Sequence, residues 1–282
     1  MRPRLVLLGL GMVIVAPALA SAGVVAKRVA YRDGETVLEG ILAYDDAIPE
    51  GERRPGVAVC HTFWGVNAYT ERRARELAGL GYVAFVIDVF GQGTETDDPK
   101  LAASRANAAY ADLPATRRRA AVGLKMLAEQ PRVDPSRLAV IGYCFGGTVA
   151  LELARSGLPH TENLRAVVAF HAAHLAATGS NEEIATLGRN IKGTVLACHG
   201  AADPLVPEGE VETFQKQLEA AGVDYVFVAY AGALHAFTDP GADARNIPTS
   251  RYDAEADRRS WRHMRDMFEE RIPVNGGGAD AQ

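Results

Sequence analysis

Ile141-Gly-Tyr-Cys-Phe-Gly-Gly147 is the stretch on which the reading of this chain turns. A β-branched run, Leu138 to Ile141, leads into Cys144, and a helix-like run, Thr148 to Arg155, leaves it. Small residues flank the cysteine at Gly142, Gly146 and Gly147. That is the layout of a nucleophile elbow, a tight strand-to-helix turn that holds a reactive side chain exposed above a sheet. Such a turn tolerates little bulk two residues to either side, so glycine belongs there. A helix beginning just after the cysteine adds backbone N–H groups and a positive dipole end, both favourable to a thiolate. The same pattern also accommodates a buried cysteine in a Gly-rich turn, so a catalytic reading requires a base and an acid elsewhere in the chain.

Outward from the elbow, short apolar strands alternate with helices. Two strand-like runs, Val24 to Arg32 and Glu35 to Tyr44, meet at Asp33-Gly34, a hairpin signal. Strands are expected at 56–60, 82–89, 138–141, 165–170, 194–198 and 224–230, most of them buried. Helices are expected at 69–80, 100–110, 115–129, 148–155, 207–221 and 250–271, the last with Trp261, Met264 and Phe268 facing the core. This alternation predicts an α/β fold: a mostly parallel sheet with helices on both faces and an antiparallel hairpin at its N-terminal edge.

Three positions at the carboxyl ends of strands hold the informative polar groups, where open α/β sheets concentrate function. Cys144 follows one strand, Asp203 lies in His199-Gly-Ala-Ala-Asp-Pro204, and His235 lies in Gly232-Ala-Leu-His-Ala-Phe237. Singly, Asp203 also reads as a capping residue and His235 as a loop histidine. Their order along the chain, nucleophile then acid then histidine, is the one an elbow of this type uses. Imidazole takes the thiol proton, and a carboxylate fixes its tautomer and orientation.

The bulk numbers set the setting. The chain has 282 residues, 48% hydrophobic and 23% charged, with a formal net charge of −5, which gives no reason to expect nucleic acid. Arg2 and Arg4, the apolar run from Leu5 to Val15 and Ala18-Leu-Ala20 read as a secretory signal over residues 1–22, cleaved after Ala20 or Ala22. A single domain over 23–274, a disordered tail over 275–282 and a periplasmic or secreted location are the corresponding expectations. Cys60, Cys144 and Cys198 are too few for a disulfide framework. Adjacent Cys60-His61 and Cys198-His199 send side chains to opposite faces of a strand, so no metal or other cofactor is expected. A Cys60–Cys198 disulfide is likewise not expected. Two intervening strands would put them on the order of 14 Å apart at about 4.8 Å per strand, against the roughly 7 Å limit for a bridge.

With His61-Thr-Phe-Trp-Gly-Val-Asn67, Gly142-Tyr-Cys-Phe-Gly-Gly147, His199-Gly-Ala-Ala-Asp-Pro204 and Gly232–Phe237 in hand, the chain resembles the dienelactone hydrolase family of α/β-hydrolases over nearly all of residues 23–274. The resemblance implies Cys144 as nucleophile, His235 as base, Asp203 as acid, and an oxyanion hole from the backbone N–H groups of Phe63 and Phe145. Such donors stabilise charge that develops only in the transition state. Two departures bear on activity and substrate. Thr62 stands where the family has a glutamate that helps to activate the cysteine, which leaves activation to His235. Gln92 and Asp239 stand where the family has substrate-binding arginines, so an anionic dienelactone would meet a negative charge at Asp239 instead of a bidentate cation. Thr62, Phe63, Trp64, Phe90, Gln92, Tyr143, Phe145 and Phe237 are the candidate pocket residues, and about half of the six aromatics among them are expected to line the site. The resulting expectation is a monomeric hydrolase of a small neutral ester or lactone, with no membrane association after signal removal. A non-catalytic binding protein on the same fold is the alternative.

Overall fold

A computed structural model of the protein describes residues 23–274; the expected signal segment and the tail over 275–282 lie outside them. Strands β1 (Val24–Asp33) and β2 (Thr36–Asp45) form the predicted antiparallel hairpin, with Gly34 in the left-handed region at φ 57°. The remaining strands are β3 (Arg54–Cys60), β4 (Val83–Ile87), β5 (Val133–Tyr143), β6 (Leu164–Phe170), β7 (Thr194–Gly200) and β8 (Tyr225–Tyr230). Together the eight form one sheet in the order β1-β2-β4-β3-β5-β6-β7-β8. β2 pairs antiparallel with β4, and every pairing from β4 to β8 is parallel.

Among the described residues seven α-helices accompany the sheet: α1 (Ala68–Gly79), α2 (Pro99–Ala111), α3 (Leu113–Ala128), α4 (Phe145–Arg155), α5 (Asn181–Asn190), α6 (Glu208–Ala221) and α7 (Ala254–Arg271). Because side chains alternate along a strand, each central strand feeds two cores. On β5, Leu138 and Val140 join one cluster with Leu124 of α3 and Leu151 of α4, while Ala139, Ile141 and Tyr143 join another with Leu77 of α1 and Phe268 of α7. Met264 and Phe268 are fully buried and Trp261 partly so, as the helical spacing predicts.

Among the differences from the sequence reading, two are boundaries set by local contacts and one is a helix that the reading lacked. β5 starts at Val133 because Val133 and Asp134 pair with Arg54 and Pro55 ahead of a register shift. The final helix starts at Ala254, not Ser250. Ser250 instead forms an isolated parallel bridge with His235, whose N–H donates to Thr249 O and whose carbonyl accepts from Arg251 N–H. Asp253 then caps the helix, accepting from the N–H groups of Glu255 and Ala256. Helix α5 was missing altogether, although Ser180 and Glu183 form a reciprocal capping box at its start.

Cys60 and Cys198 sit on strands separated by β5 and β6 and belong to opposite faces of the sheet; all three cysteines are free.

Candidate active site

The elbow is built by close approach of backbones. Cys144 adopts φ 56°, ψ −121°, a conformation disfavoured for a side-chain-bearing residue, and α4 begins at the next residue. A Cβ on Gly142 would lie 1.8 Å from Gly146 O, and one on Gly146 would lie 2.2 Å from Cys60 O. The glycines therefore let the end of β5, the first turn of α4 and the end of β3 meet. Helix α4 starts at Phe145, three residues before its expected start, which places its N-terminal dipole directly at Cys144.

Asp203 and His235 arrive from the ends of β7 and β8. Asp203 Oδ2 accepts from His235 Nδ1 at 2.7 Å, and Asp203 Oδ1 accepts from Leu205 N–H at 2.9 Å, so the buried carboxylate is anchored on both oxygens. With its Nδ1 proton so engaged, His235 presents Nε2, which has no hydrogen-bond partner among the described residues, to the cavity it shares with Cys144. Burial disfavours the imidazolium, but the Cys144 sulfur and the Asp203 carboxylate outweigh it and push the His235 pKa up to about 10.

A second imidazole sits beneath the elbow and was not singled out from the sequence as functional. His171 is buried, and its Nδ1 accepts from Cys144 N–H at 3.0 Å, an N–H shared with Phe170 O. The ring proton is therefore on Nε2, 2.7 Å from Thr238 Oγ1, which in turn lies 2.7 Å from Tyr69 Oη. Burial, and next the His235 charge, hold its pKa well below the usual histidine range, so it is neutral. Its ring also meets that of His235 edge-on at 5.2 Å. His171→Phe is expected to lower stability by about 1–3 kcal/mol, the cost of stripping a partner from buried polar groups. Urea unfolding that matches wild type would refute that support role.

Cys144, His171 and His235 line a cavity of about 460 Å³. Of the candidate pocket residues, Thr62, Phe63, Trp64 and Phe145 line it, and Phe90, Gln92, Tyr143 and Phe237 do not. Phe90 lies behind Phe145, ring centroids 4.9 Å apart. Tyr143 and Phe237 are fully buried: Tyr143 stacks on Phe170, and Phe237 packs on Tyr230 and His171. Gln92 turns to the surface and donates to Glu39 at 2.8 Å. Among the described residues neither the Phe63 nor the Phe145 backbone N–H donates a hydrogen bond. Thr62 is buried, and its hydroxyl accepts weakly from Trp64 N–H at 3.3 Å.

The sequence reading missed two walls. Helix α2 contributes Ala103, Ala106, Asn107 and Tyr110, a helical i, i+3, i+4, i+7 face. The segment after His235 contributes Asp239, Arg245, Ile247 and Thr249. The expected lone negative charge at Asp239 is corrected here: Asp239 Oδ2 accepts from Arg245 Nη1 at 2.6 Å, so the charge is neutralised.

The dienelactone hydrolase family profile matches residues 42–272. The chain belongs to the dienelactone hydrolase family. A dienelactone hydrolase-like promiscuous phosphotriesterase from metagenomic libraries superposes with a TM-score of 0.81 at 37% identity, covering 89% of this chain and 99% of the other. An uncharacterised protein of Caenorhabditis elegans is 32% identical over 147 residues, 52% of this chain and 88% of its own length. A carboxymethylenebutenolidase of Pseudomonas sp. is 35% identical over 124 residues, 39% of this chain and 48% of its own. As a dienelactone hydrolase family member on an α/β-hydrolase fold, the protein is a carboxylic ester hydrolase acting on ester or lactone bonds.

Proposed function

We propose that this dienelactone hydrolase relative cleaves a small neutral ester or lactone by a Cys144–His235–Asp203 triad. The observation that carries the reading is the unpartnered Nε2 of His235 in the cavity of Cys144, with Nδ1 tied to buried Asp203. The sulfur's proton passes to His235 Nε2, and the sulfur attacks the acyl carbon. Negative charge that develops on the acyl oxygen is met by the N–H groups of Phe63 and Phe145. Collapse breaks the bond to the alkoxide, which takes the proton from His235 and leaves a thioester on Cys144. Water then loses a proton to His235, attacks the thioester, and the acid departs as the thiol is restored.

Thr62 has no proton-accepting carboxylate for the resting cysteine, so His235 does that work alone. Stabilisation of the imidazolium by the neighbouring sulfur is consistent with a pair that is competent before substrate binds. A wall of Phe63, Trp64, Ala103, Ala106, Leu205 and Ile247 with one self-neutralised ion pair favours an uncharged substrate. Acid quench during turnover of para-nitrophenyl valerate should trap an acyl group on the peptide bearing Cys144, detectable by mass spectrometry. Undiminished hydrolysis by Cys144→Ala would sink the proposal.

A further inference from the structure

Apart from the Cys144–His235–Asp203 set, the charges on the cavity wall are those of Asp239 and Arg245. Both are tightly placed. Asp239 Oδ1 accepts from Gly241 N–H at 2.8 Å, its backbone N–H donates to Ala236 O, and its carbonyl accepts from Ala242 N–H. The carboxylate side chain is only 9% exposed, so it cannot turn away to solvent without unmaking that turn. Arg245 belongs to the short 3-10 turn Asp243–Arg245 and lays its guanidinium over the Trp64 ring, 4.8 Å from the centroid. Stacking on an aromatic face and pairing with a carboxylate together fix the guanidinium plane. Among the described residues Nη1 to Asp239 is its one hydrogen bond, which leaves Nε and Nη2 without protein partners.

We infer that Asp239 is a specificity-determining residue that masks Arg245 against anionic substrates. A substrate carboxylate must lose water to enter this cavity and would then face a guanidinium whose charge is already spent on Asp239. The Coulombic gain from Arg245 is offset by repulsion from Asp239, while the desolvation cost remains in full. Without the Asp239 charge, the same guanidinium, held flat on Trp64, becomes a carboxylate site a short way from Cys144. The specificity of the cavity is therefore set by one negative charge on its wall, not by the lack of a cation. The inference rests on the reading of this cavity as the catalytic one.

Two esters of matched length test it: para-nitrophenyl valerate, which is neutral, and the mono-para-nitrophenyl ester of glutaric acid, which carries a distal carboxylate. The quantity read is the ratio of kcat/KM for the glutarate ester to that for the valerate ester, on the full-length protein. Asp239→Asn keeps a hydrogen-bonding group of the same shape and should raise the ratio about tenfold or more, the scale of one charge-assisted hydrogen bond. Arg245→Gln leaves the Asp239 charge uncompensated and should lower it. The double variant should lose the gain. An unchanged ratio in Asp239→Asn, or a gain that survives in the double variant, overturns the inference. If Asp239→Asn does not fold, Arg245→Gln decides alone, and an unchanged ratio there overturns it equally. Valerate hydrolysis that persists in Cys144→Ala would instead remove the catalytic reading, and the inference with it.

Discussion

Cys144→Ala is expected to lower kcat for a neutral para-nitrophenyl ester by at least about 10⁴-fold, the scale seen when the nucleophile of a coupled triad is removed. His235→Ala should cost about as much, and the double variant little more, because the sulfur and the imidazole act as one unit. Progress curves under saturating ester measure all three; independent, multiplying losses would show that the two residues do not share a step. The same substitution also reports on charge. The His235 pKa is raised from 6.5 to about 10, with burial opposing the shift and the Cys144 sulfur the largest effect in its favour. A raised histidine pKa means that folding stabilises the imidazolium. That contribution is fully present below about pH 6.5 and is lost as the pH rises through about 10. Cys144→Ala should therefore lower the midpoint of the His235 ring-proton titration by NMR. It should also flatten the fall in stability across that pH window.

Gly146→Ala is expected to carry a large structural penalty. Its Cβ would lie 2.2 Å from Cys60 O and 2.4 Å from His61 O, both backbone atoms at the end of β3. Neither can rotate aside as a flexible side chain would, so α4 and β3 must separate. Overpacking of this kind costs about 3 kcal/mol or more, which in a chain of this size lowers Tm by about 6–12 °C. The displaced elements carry the Phe145 N–H at the start of α4 and lead into the Phe63 N–H three residues after β3, so esterase activity should fall beyond what the Tm shift explains. Scanning calorimetry alongside kcat at a temperature where both proteins are folded separates the two effects. A wild-type Tm would mean that the helix and strand are not in rigid contact at Gly146.

The elbow and the sheet were legible in the sequence because each rests on local chemistry. Gly142 and Gly146 flank a residue in a strained turn, and β-branched runs alternate with capped helices. Asp203 and His235 were placed by their positions after successive strands, by chain order and by the family resemblance, and the fold brings them to 2.7 Å of one another. The pocket was legible only in part. Tyr143 and Phe237 are aromatic and lie within two residues of Cys144 and His235, yet strand alternation and packing on Phe170 and Tyr230 bury them. Helix α2 comes from a stretch whose alanines look like ordinary core until the helix is laid beside the elbow.

By itself, then, the sequence determined the α/β order of elements, the tight glycine turn and the identity of the groups able to move a proton or attack a carbonyl. These follow from backbone stereochemistry and side-chain chemistry within a few residues. Tertiary structure alone decided that His171 supports Cys144 from below and that Arg245, six residues along the chain, neutralises Asp239 over the ring of Trp64. Those contacts depend on how loops from distant strands converge, and a charge in sequence has no sign of effect until its partner is in place.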